Sequence, residues 1–552
     1  MKLLLLFLFL VSLAHARPSD LDPTFGVGGK VVTDFGENHE IVALSLQKDG
    51  KILAAGSSKL GSAWVLVRYL TNGTLDTTFG EDGKAFTSFG DPYASCSSMS
   101  VDGAGRIILA GKSGSSYYDC DFAAARYDAN GILDLSFGES GRIKTPVSKT
   151  LGAESVLIQK DGKIVVSGSG FTGRWGIVLI RYEIDGALDQ TFGSGGIATV
   201  PLSTWVPYHP GFGTGKSVLQ PDGKIVVAGA LASKFVVARV NSTGDMDLAF
   251  GKNGKCEEPY GNFEVAVNSL FLAKNGGIVL TGDGAPSEMT VLKFSRDGFP
   301  RPSPLSVTFS KNLPGSPTAF SVDKEGNFLI AGSHDAHGEP QFFSLARFMW
   351  DGALDPAFGE DSVVVTKFSE IYDVPNAMVI QTDGKIITAG FSSSSPKRGM
   401  FALARYEGGQ VRPDIRIGWN EGAWRDNNRY NTFYAPPALQ SVFPPAGGTE
   451  LFHVAIQNDG TQRDSFILRG SRGDLNFSTR YFRGKRDVTE SILNGTYRTP
   501  ALEMGQIHRL RLQITAKRRE KAIWRDFQIR AVSITDKAAR DCISVSAYGG
   551  RP

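Results

Sequence analysis

Parts of a conventional active site are scarce in this chain. It holds four cysteines and seven histidines among 552 residues, and no Ser-His-Asp, Cys-His or paired-carboxylate spacing stands out along it. Motif spacing therefore gives no case for catalysis or for a metal or cofactor, although sites gathered from several repeats leave no such trace. Helical periodicity is almost absent, which argues against helical and α/β folds. Beyond Leu13 no apolar run approaches the roughly 20 residues of a bilayer span, so no transmembrane anchor is expected. The net charge is only +3, and it is uneven. From Val411 onward there are 23 Lys and Arg against 14 Asp and Glu, an excess of nine, whereas the preceding part is acidic by six.

The first residues carry a signal of their own. Lys2, an apolar run from Leu3 to Leu13 and then Ala14-His15-Ala16 have the charged start, short core and small-residue site of a secretory signal. Residues 1–16 are read as that signal, and the protein as secreted, periplasmic or on the cell surface. Export makes nucleic acid an unexpected partner. Oxidising conditions allow cysteines to pair; Cys96 with Cys120, in one repeat, is the expected disulfide, with free buried thiols as the alternative.

The dominant feature is a repeat. LDTTFGEDG at Leu75 returns as LDPTFGVGG at Leu21, LDLSFGESG at Leu133, LDQTFGSGG at Leu188, MDLAFGKNG at Met246 and LDPAFGEDS at Leu354, with a degraded copy near Pro300, at intervals of 54 to 58 residues. A period of that size marks a propeller, solenoid or array. Within each unit an Asp-Gly or similar turn, such as Asp49-Gly50, Asp161-Gly162 or Asp383-Gly384, separates short runs rich in Val, Ile and Leu, which predicts a hairpin with a two-residue primed turn. A Gly closes the second strand, and a third ends at Arg68, Arg126, Arg181, Arg239, Lys293, Arg347 or Arg405.

Four strands in meander order describe a propeller blade. The chain opens with a lone strand near Lys30 to Phe35 and closes its repeats with three strands near Asn376 to Tyr406. If these share one blade, the ring closes without an exposed edge. The expected fold is all-β: a seven-bladed β-propeller over residues 17–409, closed by the N-terminal strand and the last three-strand set, followed by a β-sandwich over 410–552. Alternating stretches at Leu451–Gln457, Ser465–Leu468, Leu510–Thr515 and Asp526–Ile534 predict that sandwich.

Arg and Asp recur eight residues apart across a turn: Arg68 with Asp76, Arg126 with Asp134, Arg181 with Asp189, Arg239 with Asp247 and Arg347 with Asp355, while Arg405 has no downstream partner. Where the Asp position holds Arg301, the Arg position holds Lys293, so the pair changes together. A charge pair bracing a turn explains this better than many identical active sites. The Phe of each copy, such as Phe79 or Phe192, is expected between units.

Hairpin turns alternate between faces, so the two recurring turns share one face and the variable loops share the other. Those loops carry Trp64, Tyr93, Tyr117, Tyr118, Trp175, Trp205, Tyr208 and Tyr372. Exposed Tyr and Trp stack on sugars or anchor proteins, which makes them candidate ligand-binding residues; the alternative is that they cap the core.

The repeat, carried by LDTTFGEDG, DGKILAAG and LVRYLTNG, resembles the delta-60 repeat of secreted and surface bacterial proteins over about Asp20 to Glu407. The resemblance implies a repeat architecture and no activity. The C-terminal segment resembles, broadly, the immunoglobulin-type modules appended to bacterial exported proteins. Its run Lys517, Arg518, Arg519, Lys521 and Arg525 reads as a solvated hairpin, or else as a contact for an anionic surface. PGFGTGKS at Pro210 and GSGFTG at Gly168 mimic phosphate-binding loops but join strands rather than a strand and a helix. His334 and His337, with Asp335 and Glu339 nearby, could ligate a metal, but a lone HxxH in a polar loop reads first as a solvated loop.

The sequence thus points to an exported, non-catalytic binding protein whose loop face takes a glycan or protein. A propeller hydrolase or lyase acting on extracellular polysaccharide and a structural envelope component are the rival readings.

Overall fold

A computed structural model describes residues 19–549 except 37–38, 59–62, 118, 149, 151, 204–214, 232, 261–264, 274–275, 286–287, 301–304, 309–315, 324–325, 335–340, 349–353, 356–357, 360–362, 396–397, 409–412, 419–438, 443–447, 459–462, 475, 504–505, 518–522 and 535–539. Within them the fold is all-β, with one five-residue helix at Thr489–Leu493. The chain divides into two compact units, Met1–Glu407 and Gly408–Pro552. The signal reading of residues 1–16 lies outside the described residues.

Seven four-stranded antiparallel sheets make up the described part of the first unit. Sheet two is typical: Tyr93–Val101, Ile107–Ser116, Asp119–Tyr127 and Arg142–Thr145, side by side in chain order. The first strands of the sheets, beginning at His39, Tyr93, Gly152, Lys216, Ala266, Ser316 and Tyr372, each touch the first strand of the next sheet, and the seventh touches that of the first. The strand Lys30–Thr33 completes sheet seven by pairing with Arg398–Tyr406, Lys30 opposite Ala404 and Thr33 opposite Phe401. Middle strands are buried on both sides, as in Ile52–Ser58, because sheets stack face to face and leave no solvated surface. That burial accounts for their runs of Ile, Val, Ala and Gly.

The Asp-Gly turns differ from the primed turns that the pattern predicts. Gln47 N donates to Lys51 O and Gly50 N to Gln47 O, so the loop is the three residues Lys48-Asp49-Gly50. Only the Gly takes positive φ, 83° at Gly50, while the Asp49 carboxylate accepts from Lys51 N at 3.2 Å. This is a type I turn followed by a left-handed Gly, which needs Asp for its side chain and not for positive φ.

Each first strand except that of sheet four also bulges near its start, for instance between Cys96 and Ser98. The bulge presses the backbone against the recurring Gly, which lies within the second strand and does not close it as the pattern predicts: a Cβ on Gly111, inside Ile107–Ser116, would lie 2.0 Å from Ser95 O. Only glycine fits there.

Recurring Arg, Asp and Phe form one structural device. Arg181 Nε donates to Asp189 Oδ2 at 2.6 Å, Asp189 Oδ1 accepts from Thr191 N and Oγ1, and Lys163 of the preceding turn reaches Asp189 Oδ2 at 2.8 Å. The guanidinium lies 4.4 Å from the Phe192 ring centroid, and its Nη1 donates to Ser242 O of the next sheet at 2.6 Å. Arg68 does the same with Asp76 and Phe79, donating to Ala129 O at 2.8 Å. Arg126–Asp134, Arg239–Asp247 and Arg347–Asp355 repeat the ion pair at 2.8 Å. Arg405 finds its partner 383 residues upstream: its Nε donates to Asp22 Oδ2 at 2.7 Å. The Phe slides beneath the turn Gly of the following sheet, where a Cβ on Gly131 would sit 2.5 Å from Phe79.

A second bridge lies on the outer strands. Tyr69 OH meets Thr33 Oγ1 at 2.8 Å, Tyr182 meets Thr145 at 2.7 Å and Tyr406 meets Thr366 at 2.8 Å, each Tyr reaching the last strand of the preceding sheet. In sheet four the corresponding residues are Val240 and Val200, buried in one cluster.

The expected Cys96–Cys120 disulfide is not formed; both thiols are free and buried. Cys96 pairs with Gly111 and Cys120 with Gly114, on opposite sides of the strand Ile107–Ser116. Two strand spacings of about 4.8 Å each, plus three residues along the strand, exceed the roughly 7 Å a disulfide spans.

In the second unit, two five-stranded sheets share one hydrophobic cluster, with Phe452, Leu510 and Leu512 from one sheet and Phe466, Phe527 and Ile543 from the other. Its strands alternate buried and exposed positions, as in Ile507–Ala516. All pairings are antiparallel except Leu439–Val442 with Arg540–Gly549.

Three outcomes follow from these contacts. Asp189→Asn should lower the unfolding free energy by about 3 kcal/mol in urea titrations, because Arg181 and Lys163 lose their anion in a buried setting, whereas exposed Asp49→Asn should be near neutral. Burial alone would raise the Asp76 carboxyl, but hydrogen bonds from Thr78 and Lys51 and the charge of Arg68 outweigh it and hold it at about 2. The unfolded chain, with the ordinary value of 3.8, takes up protons first, so stability should be full above about pH 4 and fall as pH drops through about 2. Alkylation under denaturing, non-reducing conditions should label both Cys96 and Cys120; a mass two units short with both protected would restore the disulfide.

Candidate functional site

Two places in the first unit offer chemistry beyond holding the sheets together. One is the cavity between the seven first strands. It measures about 330 Å³ and is lined by Ser97, Ser98, Glu154, Lys216, Asn268 and Asn376 among others. The bulges turn these residues inward, except Lys216, which opens the unbulged first strand of sheet four. Their polar atoms are engaged across the sheets: Asn376 Nδ2 donates to Ile41 O at 3.0 Å, Ser98 Oγ accepts from Val156 N at 3.2 Å, Ser217 Oγ bonds Ser155 Oγ at 3.0 Å, and Thr318 Oγ1 donates to Pro375 O. The charged residues among this lining, Glu154 and Lys216, pair with each other at 3.5 Å. Carboxylates from different sheets do not converge here, and among the described residues no group of His, Cys, Asp and Glu is arranged to hold a metal. A wider cavity of about 580 Å³ opens at the outer strands of sheets two and three, walled by Arg142, Lys144, Thr145 and Tyr182, the last two being a bridge between sheets.

The other place is the set of strand ends and loops opposite the recurring turns. Tyr93 opens the first strand of sheet two, and Tyr117 lies in its next hairpin turn with 48% of its surface exposed. Their rings meet edge to face at 5.8 Å between centroids. Tyr372, also 48% exposed, opens the first strand of sheet seven beside exposed Ile371. Trp175 is half-buried against Phe171, ring centroids 5.8 Å apart. Trp64 is different: it is fully buried and packs on Phe89 at 4.6 Å. It starts a strand whose two faces are both covered, so it belongs to the core and not to a binding rim. Tyr118, Trp205 and Tyr208 lie outside the described residues.

One residue in this neighbourhood escaped the sequence reading. Lys112 sits in the second strand of sheet two with 6% exposure, its ammonium 3.6 Å from the Tyr117 ring centroid and 5.5 Å from that of Tyr93. The only available signal was a Lys next to Gly111, where the other repeats hold Ser, Ala, Asp or Phe. On the opposite face of the same sheet, Asp91 takes Lys144 at 2.6 Å and Ser113 at 2.6 Å.

Of the phosphate-loop mimics, Lys216 opens a strand, with residues 210–214 not described, and Gly168 lies within the strand Ile164–Phe171. The side chains of His334 and His337 lie outside the described residues. In the second unit Lys517 Nζ donates to Asp474 O at 3.2 Å and Arg525 reaches Asp474 at 3.5 Å; residues 518–522 are not described. His508 is buried and bonded to Tyr497 OH at 2.9 Å; burial and the nearby Arg483 push its ring down to about 4, so it is neutral at physiological pH.

No helix among the described residues is long and apolar enough to cross a membrane. A search of curated proteins finds no match. Among solved structures, the chain is similar to the extracellular domain of a hybrid two-component system from B. thetaiotaomicron, at 11% identity over 93% of this chain and 68% of that one, with a TM-score of 0.29. It is also similar to a polysaccharide lyase of family PL25, an ulvan lyase, at 9% identity over 65% and 89% with a TM-score of 0.36. A third is the β-propeller domain of the Trilobed protease from Pyrococcus furiosus, at 10% identity over 67% and 96% with a TM-score of 0.35. The family model described as "Domain of unknown function (DUF5122) beta-propeller" matches residues 47–79, 159–192 and 220–250. Each match runs from just before a Gly turn to the Phe of an LDxxFG copy or beyond it, so the repeat of this chain is of propeller type.

Proposed function

We propose that the chain is an exported, non-catalytic binding protein that engages a glycan through the loop face of a seven-bladed propeller. The N-terminal strand completes the last blade, and the C-terminal unit is a β-sandwich serving as an accessory surface module. The observation that carries this reading is the contrast between the two ends of the blades. At the recurring end, the named Arg and Asp residues hold one another and the neighbouring sheet. At the variable end, Tyr117 and Tyr372 present ring surface to solvent, and Tyr93 and Trp175 are half-buried. Exposed aromatic rings on rigid strand ends match the flat apolar faces of sugars. A protein ligand uses the same anchors and is an outcome of the test.

The channel favours binding over turnover. Hydrolysis or elimination needs an acid and a base placed on either side of one bond, and the Glu154–Lys216 pair is self-compensating.

The test is retention of the full chain on a polysaccharide array, with product release followed on every hit. Retention without cleavage, weakened roughly tenfold by Tyr117→Ala or Tyr372→Ala, is the expected result. Released oligosaccharide would install the lyase or hydrolase reading in its place. Retention of a protein and no glycan would make the ligand a protein, and no retention of either would leave the envelope-component reading.

A further inference from the structure

We propose that Lys112, under the Tyr93–Tyr117 pair, is an anion-recognition site that makes the loop face selective for acidic saccharides, those bearing a carboxylate or sulfate on the sugar ring. This rests on the glycan-binding reading above and adds the charge of the ligand to it.

Lys112 holds an ammonium with no anion beside it among the described residues. Lys112 is 6% exposed, and among the described residues it makes no ion pair and no hydrogen bond; its contacts are the faces of two tyrosines. Burying an ammonium without a carboxylate or several acceptors is costly, and attraction to aromatic faces recovers only part of that cost. Burial accordingly lowers the Lys112 ammonium, with Cys120 and Glu154 opposing weakly. The acidic residues of the adjoining strand do not compensate it. Asp119 and Asp121 alternate with Cys120, which shares the Lys112 face, and by the period of two their side chains project from the other face. There Asp121 neighbours Asp91, which already holds Lys144 and Ser113.

Structure alone does not require a lysine here. The equivalent position is Ser57, Ser169, Ala230 and Ser333 in four of the other sheets, buried and small in each, and Asp283 and Phe391 in the remaining two. Room for the longer side chain exists because Gly152 of the next sheet lacks one: a Cβ there would lie 2.4 Å from Lys112 Cβ. The exposed edge of Tyr117 sets the geometry of entry. An anionic substituent of a sugar entering past that edge would meet the ammonium beneath the ring, exchanging the unpaired cation for a charge-assisted contact.

The test uses the full chain, Lys112→Met, which keeps the aliphatic stem and removes the charge, and three immobilised probes: polygalacturonate, dextran sulfate and neutral dextran. The expected result is retention on at least one anionic probe and not on dextran, weakened tenfold or more by the substitution. The melting temperature of Lys112→Met should hold or rise by about 2–4 °C as the unpaired charge is removed. Retention on polygalacturonate alone identifies a carboxylate, and on dextran sulfate alone a sulfate. A fall in melting temperature would make Lys112 a structural residue and overturn the proposal. So would anionic retention that Lys112→Met leaves unchanged, or no anionic retention at all. The broader binding reading fails separately, only if no glycan, charged or neutral, depends on Tyr117, Tyr372 or Trp175.

Discussion

Six of the seven sheets of the first unit lean on one guanidinium each, and the fifth holds Lys293 in its place. The Arg at the end of the third strand is fixed by the Asp of the LDxxFG turn, stacked on the Phe of that turn and bonded to a carbonyl of the next sheet. One side chain thus closes a turn within its own sheet and clamps the neighbour. Because the buried Arg181 guanidinium is held by the Asp189 carboxylate and by the Ser242 carbonyl, its charge is retained at little net cost. The constraint is circular: Asp22, at the start of the chain, completes the clamp of Arg405 near the end of the repeats, joined by Lys385 at 2.6 Å. An edge that would otherwise present free backbone groups is closed by the same chemistry as the seams made by Arg68, Arg126, Arg181 and Arg239.

A clamp that recurs at one end leaves the other end free to vary. The recurring turns, the glycines of the second strands and the outer Tyr–Thr bridges all serve the joints between sheets. They account for the repeated letters of the sequence, and the letters that do not repeat cluster on the loop face. A buried lysine beneath two tyrosines is out of keeping with this thrift, and that is why it draws attention. The stability of the rest makes one unpaired charge tolerable, much as strained or uncompensated groups persist at functional sites held by their surroundings.

Much of the scaffold was legible from spacing alone. The four-strand unit and the Arg–Asp partnership follow from the period of the repeat and from Lys293 and Arg301 changing together. The Tyr–Thr bridge was legible in the same way, through Tyr182 with Thr145 against Val240 with Val200, but it needed two letters from adjacent units to be compared. The partner of Arg405 was hidden by distance along the chain, though Asp22 was the one LD copy without an upstream Arg. Three-residue turns were misread because Asp-Gly serves two turn types, which differ in the φ of the Asp and not in composition. Trp64 was misassigned since a residue beside a loop can still point into a sheet stack. The disulfide failed on strand order, which sequence proximity does not encode, and Lys112 could not be seen as unpaired before its neighbours were placed.

The most direct check on the division between a holding end and a recognising end is hydrogen exchange by mass spectrometry, with and without an acidic oligosaccharide. The account predicts added protection confined to the ends of sheet two around residues 91–93 and 113–119, with the LDxxFG turns and the first strands around the channel unchanged. Protection centred on the channel strands, or on the turns that carry Asp76 and Asp189, would contradict it.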